Sequence, residues 1–342
     1  MNNLINVAVL GSTGYVGMEL VKILSKHENV KINFLGSDKS NKKYLSNIEN
    51  DEEYKNLPVL KNNNEFDPST AEYVFLALPH SISNKYVKKY YGKIKIIDLS
   101  ADFRLDNFDV YKENYGDNHL CFEYASQFIY GLPEFNKKII FKANNIAVPG
   151  CYPTSILLPI IPLMKDNLIK NDDIIIDSKS GYSGAGKNFD LSNIKSEKDF
   201  NFYNYNTNSH RHIAEIKQEL EKCNSINNLL FSFNPHILPN FRGMMSTIYC
   251  NLTEKINKTK CLEKLRNFSK KNYFIQFIED DRRLDFFSVH NTNFCKIKIF
   301  DHPNKDKIII VSIIDNLIKG ASGQAVQCLN IMENLNEKTA LI

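Results

Sequence analysis

A chain of 342 residues, 43% hydrophobic and 24% charged, exceeds the usual size of one hydrophobic core, and its composition excludes a disordered or fibrous protein. Its 43 Lys and Arg against 39 Asp and Glu leave a net charge of +4, which makes no case for a nucleic-acid partner. Only six basic residues are Arg, at 104, 211, 242, 266, 282 and 283, so each points to a place where Lys is expected to fail.

The first residues, Met1-Asn2-Asn3-Leu4, lack a basic region and lead straight into a glycine turn, so the start reads as a strand and not a signal peptide. Residues 5–10 form an apolar run suited to a strand buried on both faces, and 18–24 have helical spacing. Strands are expected at 30–35, 73–78 and 94–99, with 40–65 a polar surface excursion. That alternation predicts an α/β fold, a Rossmann-like doubly wound parallel sheet.

The pattern changes after Gly150. A helix over 153–163 should bend at its prolines, and its apolar run is too short to span a bilayer. Strands at 173–178, 244–251 and 308–314, with helices at 210–222 and 258–272, predict a second, α+β domain. Residues 186–206 are polar and unassigned. A final helix over 320–334 carries Ala321, Ala325, Val326 and Leu329 to pack on the first domain. The expected division is 1–150, completed by 316–342, and 151–315. Seven cysteines without CxxC spacing argue for reduced thiols in a cytoplasmic protein and against a metal centre.

Gly11-Ser12-Thr13-Gly14-Tyr15-Val16-Gly17 sits between a strand and a helix, where backbone N–H groups cradle a pyrophosphate. Ser12 and Thr13 could add hydroxyl donors. At the end of the second strand, Ser37, Lys39, Lys42 and Lys43 suit the 2′-phosphate of NADP, whereas Asp38 suits the ribose of NAD. NADP is the favoured cofactor.

Cys151 lies between a Pro-Gly turn and the start of a helix, with Pro153 suited to the first turn. A helix N-terminus favours thiolate, so Cys151 is the candidate nucleophile, and the other six cysteines read as small buried hydrophobes. The candidate base is in Ser209-His210-Arg211-His212-Ile213-Ala214-Glu215. Ser209 could cap that helix, and Glu215 shares a face with His212 and could orient its ring. His236 is a rival base, and His80 is expected near the cofactor.

These segments resemble the N-acetyl-γ-glutamyl-phosphate reductase family of arginine biosynthesis, a relative of aspartate-semialdehyde dehydrogenase. The resemblance rests on GSTGYVG at Gly11, LALPH at Leu76, IDLSADFRL at Ile97, YGLPE at Tyr130, VPGCYPT at Val148, SGYSGAG at Ser180, SHRHIAEI at Ser209, PHILPNFRGM at Pro235 and DNLIKGASGQAVQ at Asp315. They span nearly the whole chain in the family's order. The resemblance implies a catalytic and oligomerisation role for the second domain, and a homo-oligomer, dimer or tetramer. It further implies that Cys151 displaces phosphate from N-acetylglutamyl 5-phosphate, giving a thioester that NADPH reduces to the semialdehyde. His212 is then the base, with Glu215 its partner, and His236 takes a structural role. Pro79, Ser100, Ser183, Gly184 and Asn316 are implied to face the cofactor.

Arg104, Arg211 and Arg242 lie inside these motifs, and a substrate with a carboxylate and a phosphate needs bidentate donors. Arg104 and Arg211 are expected at the substrate, with a structural ion pair the competing reading for each of the three. Arg266, Arg282 and Arg283 lie outside the motifs, at the surface or an interface. The nearest alternative is an aspartate-semialdehyde-dehydrogenase-like reductase of another acyl phosphate. Outside that class stand a nucleotide-sensing Rossmann regulator, which the pairing of Cys151 with His212 disfavours, and a short-chain dehydrogenase, whose only Tyr-xxx-Lys match, Tyr91 with Lys95, runs into a strand.

Overall fold

A computed structural model describes residues 4–40, 42–49, 51–196, 199–224 and 229–342. The N-terminal residues 1–3, residues 41 and 50 of the polar excursion, and 197–198 of the unassigned stretch fall outside it. The chain forms two compact units, Met1–Pro149 with Ala321–Ile342, and Gly150–Gly320.

The first unit begins with β1 (Ile5–Leu10), α1 (Tyr15–Ser25) and β2 (Val30–Gly36). There follow β3 (Leu60–Lys61), β4 (Tyr73–Leu76), α2 (Ser83–Tyr90), β5 (Lys95–Asp98), α3 (Phe108–Tyr115), β6 (Ile129–Tyr130), α4 (Pro133–Ile140) and β7 (Asn145–Ala147). The seven strands make one sheet in the order β3-β2-β1-β4-β5-β7-β6, and every pairing is parallel. β1 lies in the interior of that order with Val7, Ala8, Val9 and Leu10 wholly buried, which is why its sequence is apolar without alternation. The excursion after β2 consists of short 3₁₀ turns and the two-residue β3.

The second unit contains α5 (Cys151–Lys165), β8 (Ile174–Gly181), β9 (Tyr203–Asn204), α6 (His212–Asn224), β10 (Phe231–Leu238), β11 (Met244–Asn251), α7 (Lys258–Lys271), β12 (Ile275–Phe277), β13 (Cys295–Asp301) and β14 (Lys307–Ile314). Its strands form a mixed sheet in the order β12-β13-β14-β11-β8-β10-β9. Helix α5 packs on β11 and β14 and against α6 and α7. Residues Tyr152 to Met164 are all buried, so α5 is a core helix, hydrophobic all round, and it carries Pro159 and Pro162 in its interior.

Beyond β14 a single π turn, Ile318–Ser322, leads into α8 (Gly323–Met332), which packs on α1 and α4 within the first unit. Residues 316–320 belong to the second unit. Asn316 is held there, accepting from the Gly243 N–H at 2.8 Å and donating to Ser183 Oγ at 2.9 Å. Among the described residues no helix is long and apolar enough to cross a membrane.

Candidate active site

The glycine turn in the first unit is shaped by contacts that admit no side chain at two positions. Gly11 has φ +79°, and a Cβ there would lie 2.3 Å from the Ala77 carbonyl oxygen. A Cβ on Gly17, in the first turn of α1, would lie 2.2 Å from the Gly11 carbonyl oxygen. Gly14 differs: as the N-cap of α1 its φ is −72°, and a Cβ would make only ordinary contact at 3.6 Å. Its bareness therefore leaves the start of α1, with Tyr15, Val16 and Gly17 in its first turn, open to close approach by an anion.

Ser12 does not supply a ligand donor. It is wholly buried, and its hydroxyl donates to the Gly36 carbonyl at 2.9 Å, binding the turn to the end of β2. Thr13 Oγ1 lies 2.9 Å from Ser37 Oγ, which joins two of the expected cofactor residues. The Asp38 carboxylate accepts from the Asn63 backbone N–H at 3.2 Å, and the Asn63 side chain accepts from Gly11 N–H at 3.2 Å. Lys39, Lys42 and Lys43 are exposed close by in the chain.

Pro79 is exposed just beyond β4, where its carbonyl accepts from the N–H groups of Ile82 and Ser83. The ring of His80 lies 5.4 Å from that of Tyr115. Ser100 is buried and its hydroxyl is engaged, donating to Asp98 at 2.7 Å and accepting from Asp102 N–H at 3.1 Å. Arg104 is also buried and donates to the Leu99 carbonyl at 2.9 Å, which folds the loop after β5 back on itself.

Beneath that loop lie two wholly buried carboxylates that the sequence reading passed over. Asp102 accepts from Tyr111 Oη, from the N–H groups of Ser81 and Asn84, and from the Asn84 side chain. Asp98 accepts from Ser83 Oγ at 2.6 Å and from Ser100. Burial, and then the Asp102 charge, push its carboxyl up to about 6. Folded Asp98 therefore holds its proton more tightly than unfolded Asp98. Its contribution to stability is complete below about pH 4 and is lost as pH rises through about 6, a change of roughly 3 kcal/mol. In urea unfolding between pH 4 and 7, Asp98→Asn should remove that part of the pH dependence, and curves parallel to wild type would refute it.

In the second unit, Cys151 opens α5 and is half-buried, with Gly150 as N-cap. The Gly150 N–H donates to Glu215 Oε1 at 2.9 Å, and Glu215 is 1% exposed. Gly320 lies against the nucleophile, since a Cβ there would sit 2.8 Å from Cys151 Cβ. Sequence reasoning missed this residue, because a close approach between distant segments leaves no local signal.

Helix α6 starts at His212, two residues later than expected, so Ser209 does not cap it. His210 does the related work, its Nδ1 accepting from His212 N–H at 3.1 Å. That bond leaves the proton of the neutral ring on Nε2, 3.5 Å from Tyr205 Oη. Burial, and then the neighbouring Arg211 charge, lower His210 to about 4, so this ring is neutral near pH 7. Tyr152, next to Cys151, lies with its ring 5.3 Å from that of His210 and 5.8 Å from that of His212. Its hydroxyl meets Tyr205 Oη at 3.2 Å. The residues on either side of Cys151 thus meet α6, Gly150 through Glu215 and Tyr152 through His212. His236 stands on β10 with Nδ1 3.3 Å from both the Ser178 carbonyl and Asp177 Oδ1.

Ser183 and Asn316 bond each other, and a Cβ on Gly184 would approach Asn316 Nδ2 at 3.8 Å. Arg211 is exposed beside His212. Arg242 pairs at 3.2 Å with the wholly buried Asp315, so the competing reading of a structural ion pair holds for that arginine. Arg266, Arg282 and Arg283 pair with the surface acids Glu279, Asp280 and Asp285.

Two family models match the chain: the semialdehyde dehydrogenase NAD-binding domain over residues 6–143 and the semialdehyde dehydrogenase dimerisation domain over 151–316. N-acetyl-gamma-glutamyl-phosphate reductase of Ehrlichia canis is 41% identical, covering 100% of this chain and 98% of its own. That of Caldicellulosiruptor bescii is 43% identical, covering 99% and 98%. A probable chloroplastic form from Arabidopsis thaliana is 37% identical over 99% of this chain and 84% of its own. Aspartate semialdehyde dehydrogenase II of Vibrio cholerae, solved with ASA, superposes with a TM-score of 0.75 at 18% identity, covering 97% and 99%, a likeness of fold. The enzyme of Candida albicans, solved with NADP, gives 0.70 at 16% identity, covering 96% and 99%. With relatives at this identity over its whole length, the chain belongs to the N-acetyl-γ-glutamyl-phosphate reductase family, enzymes of the oxidoreductase class.

Proposed function

We propose that this enzyme reduces N-acetyl-L-glutamyl 5-phosphate to N-acetyl-L-glutamate 5-semialdehyde in arginine biosynthesis, with NADPH as reductant and Cys151 as covalent nucleophile. The carrying observation is that both chain neighbours of Cys151 meet α6, Gly150 through Glu215 and Tyr152 through His212, which places the start of α5 at the start of α6. His212 takes the thiol proton, and Cys151 Sγ attacks the acyl carbon while phosphate leaves, giving a thioester. When bound, the nicotinamide supplies the hydride that converts the thioester to aldehyde and frees the thiolate. Glu215 holds the turn before Cys151 through Gly150 and rides on the helix that His212 opens.

The bare helix start at Gly14, closed in by Gly11 and Gly17, fits a dinucleotide pyrophosphate. Ser37, with Lys39, Lys42 and Lys43 exposed beyond it and Asp38 already accepting from Asn63, supports a 2′-phosphate over a bare ribose. Pro79 in the first unit, and Ser183, Gly184 and Asn316 in the second, are each cofactor candidates on the family resemblance. Ser100 is a further cofactor candidate whose hydroxyl shapes its loop, and Arg104 and the exposed Arg211 are the candidates for a substrate anion.

A homo-oligomer is supported by the match to a dimerisation domain and by the sheet face opposite α5, where Ile175 is exposed and Tyr249 and Val311 half-buried. Seven free cysteines support a reducing, cytoplasmic setting. The test is phosphate-dependent NADP reduction with N-acetylglutamate semialdehyde set against aspartate semialdehyde. We expect a preference of at least about 100-fold in kcat/KM for the former, since a site built for a polar acetamido group rejects substrates lacking it. Equal rates would overturn the substrate assignment.

A further inference from the structure

Three buried serines link the second sheet to the first turn of α5. Ser178 on β8 and Ser246 on β11 stand opposite each other in the antiparallel register, with their Oγ atoms 2.7 Å apart. Ser246 Oγ is also 2.7 Å from Ser155 Oγ, which lies 3.0 Å from the Tyr152 carbonyl oxygen. All three serines are wholly buried.

Each hydroxyl has one hydrogen, and the carbonyl at the end of the row can only accept. The hydrogen of Ser155 therefore goes to Tyr152, that of Ser246 to Ser155, and that of Ser178 to Ser246. A row polarised in one direction strengthens each bond in it. Ser178 and Ser246 occupy inward positions of strands otherwise rich in Ile and Met, where an apolar side chain would bury at no polar cost.

Helix α5 explains what the row supports. Pro159 offers no N–H to the Ser155 carbonyl and Pro162 none to that of Leu158, so the middle of the helix lacks two ladder bonds. The Cys151 end is tied instead by side chains. Thr154 Oγ1 donates to the Gly150 carbonyl at 2.9 Å, Glu215 accepts from Gly150 N–H, and Ser155, one turn after Cys151, reaches the sheet.

We propose that Ser155, Ser178 and Ser246 are positioning residues that fix the first turn of α5, and with it Cys151 Sγ, against the sheet. The proposal rests on Cys151 being the nucleophile. Ser246→Ala removes the middle link and should lower kcat roughly tenfold or more with little change in KM, the scale of a small misplacement. The rate at which iodoacetamide alkylates Cys151, read by mass spectrometry of the labelled peptide, should shift with it.

Ser312→Ala is the control. Ser312 is equally buried, stands beside Ser246 in the β11–β14 register, and bonds Cys295 at 3.3 Å instead of α5. It should lose comparable stability while leaving kcat and Cys151 alkylation unchanged. Wild-type kcat and alkylation in Ser246→Ala, or equal effects of the two variants, would overturn the proposal. Alkylation reports on the thiol without turnover, so a failure of the covalent mechanism would show separately, as activity in a Cys151→Ser variant.

Discussion

Replacing Cys151 by Ser should abolish turnover, by about four orders of magnitude or more, while leaving NADPH binding intact. A serine hydroxyl keeps the shape and the hydrogen bonding of the site but yields a far poorer nucleophile near pH 7. Burial pushes Cys223 up to about 11 and Cys121 and Cys261 up to about 12, and raises Cys250 as well, so these thiols hold their protons at neutral pH. Cys295 and Cys328 are wholly buried. Cys151 alone among the seven is half-buried at the first position of a helix, where the aligned peptide dipoles favour negative charge. The glycine turn that would hold the cofactor belongs to the other unit and is untouched by the substitution. Calorimetric titration with NADPH, alongside phosphate-dependent oxidation of the semialdehyde, separates the two effects. An acylated Cys151 should also appear by intact mass when wild-type enzyme meets the acyl phosphate without cofactor. Retained turnover in Cys151→Ser would exclude a thioester.

What could be read from the sequence follows from how local its causes are. Strand β1 and the turn into α1 were legible, because a strand buried on both faces and glycines excluded by backbone contact write themselves into consecutive residues. Strand β10 was not, because Pro235 lies within it, and a proline argues against an interior strand. The position is tolerated because β10 has the two-residue β9 on one side, paired only with His236 and Ile237, so Pro235 loses no ladder bond to it. Strand β13 alternates Cys-Lys-Ile-Lys-Ile, a period-two pattern that the sequence does carry. The scarcity of arginine drew attention to six positions whose surroundings turn out to differ. Arg242 pairs with Asp315, Arg104 is buried with one donor on the Leu99 carbonyl, and Arg211 is exposed next to the start of α6. Ser12 was misread in the same way: a hydroxyl in a ligand turn invites a ligand role, yet the fold uses it to close the turn on Gly36. The contacts of Arg242 with Asp315 and of Ser12 with Gly36 join residues far apart in the chain, and no short window of sequence contains them.

Gly320→Ala carries the second large expectation: a fall in kcat of about 100-fold or more, with NADPH affinity unchanged. The added Cβ would sit 2.8 Å from Cys151 Cβ and 3.3 Å from Cys151 Cα. Neither atom can move away by rotating a side chain, because both are fixed by the backbone of the first turn of α5. The other side offers no slack, since Ile314 Cδ1 lies 3.4 Å from the same point and Gly320 N–H is bonded to the Asp315 carbonyl at 3.0 Å. Asp315 is in turn held by Arg242 and by the N–H groups of Asn291 and Leu317. The strain must then move Cys151, and a shift of under an ångström is enough to spoil attack at an acyl carbon. Gly320 has no left-handed φ, so the effect is purely one of space. The loss should therefore grow with side-chain volume from Ala to Val. Thermal unfolding read beside kcat would separate misplacement from collapse. Full activity in Gly320→Ala would mean that the thiol does not need the close approach that this glycine permits.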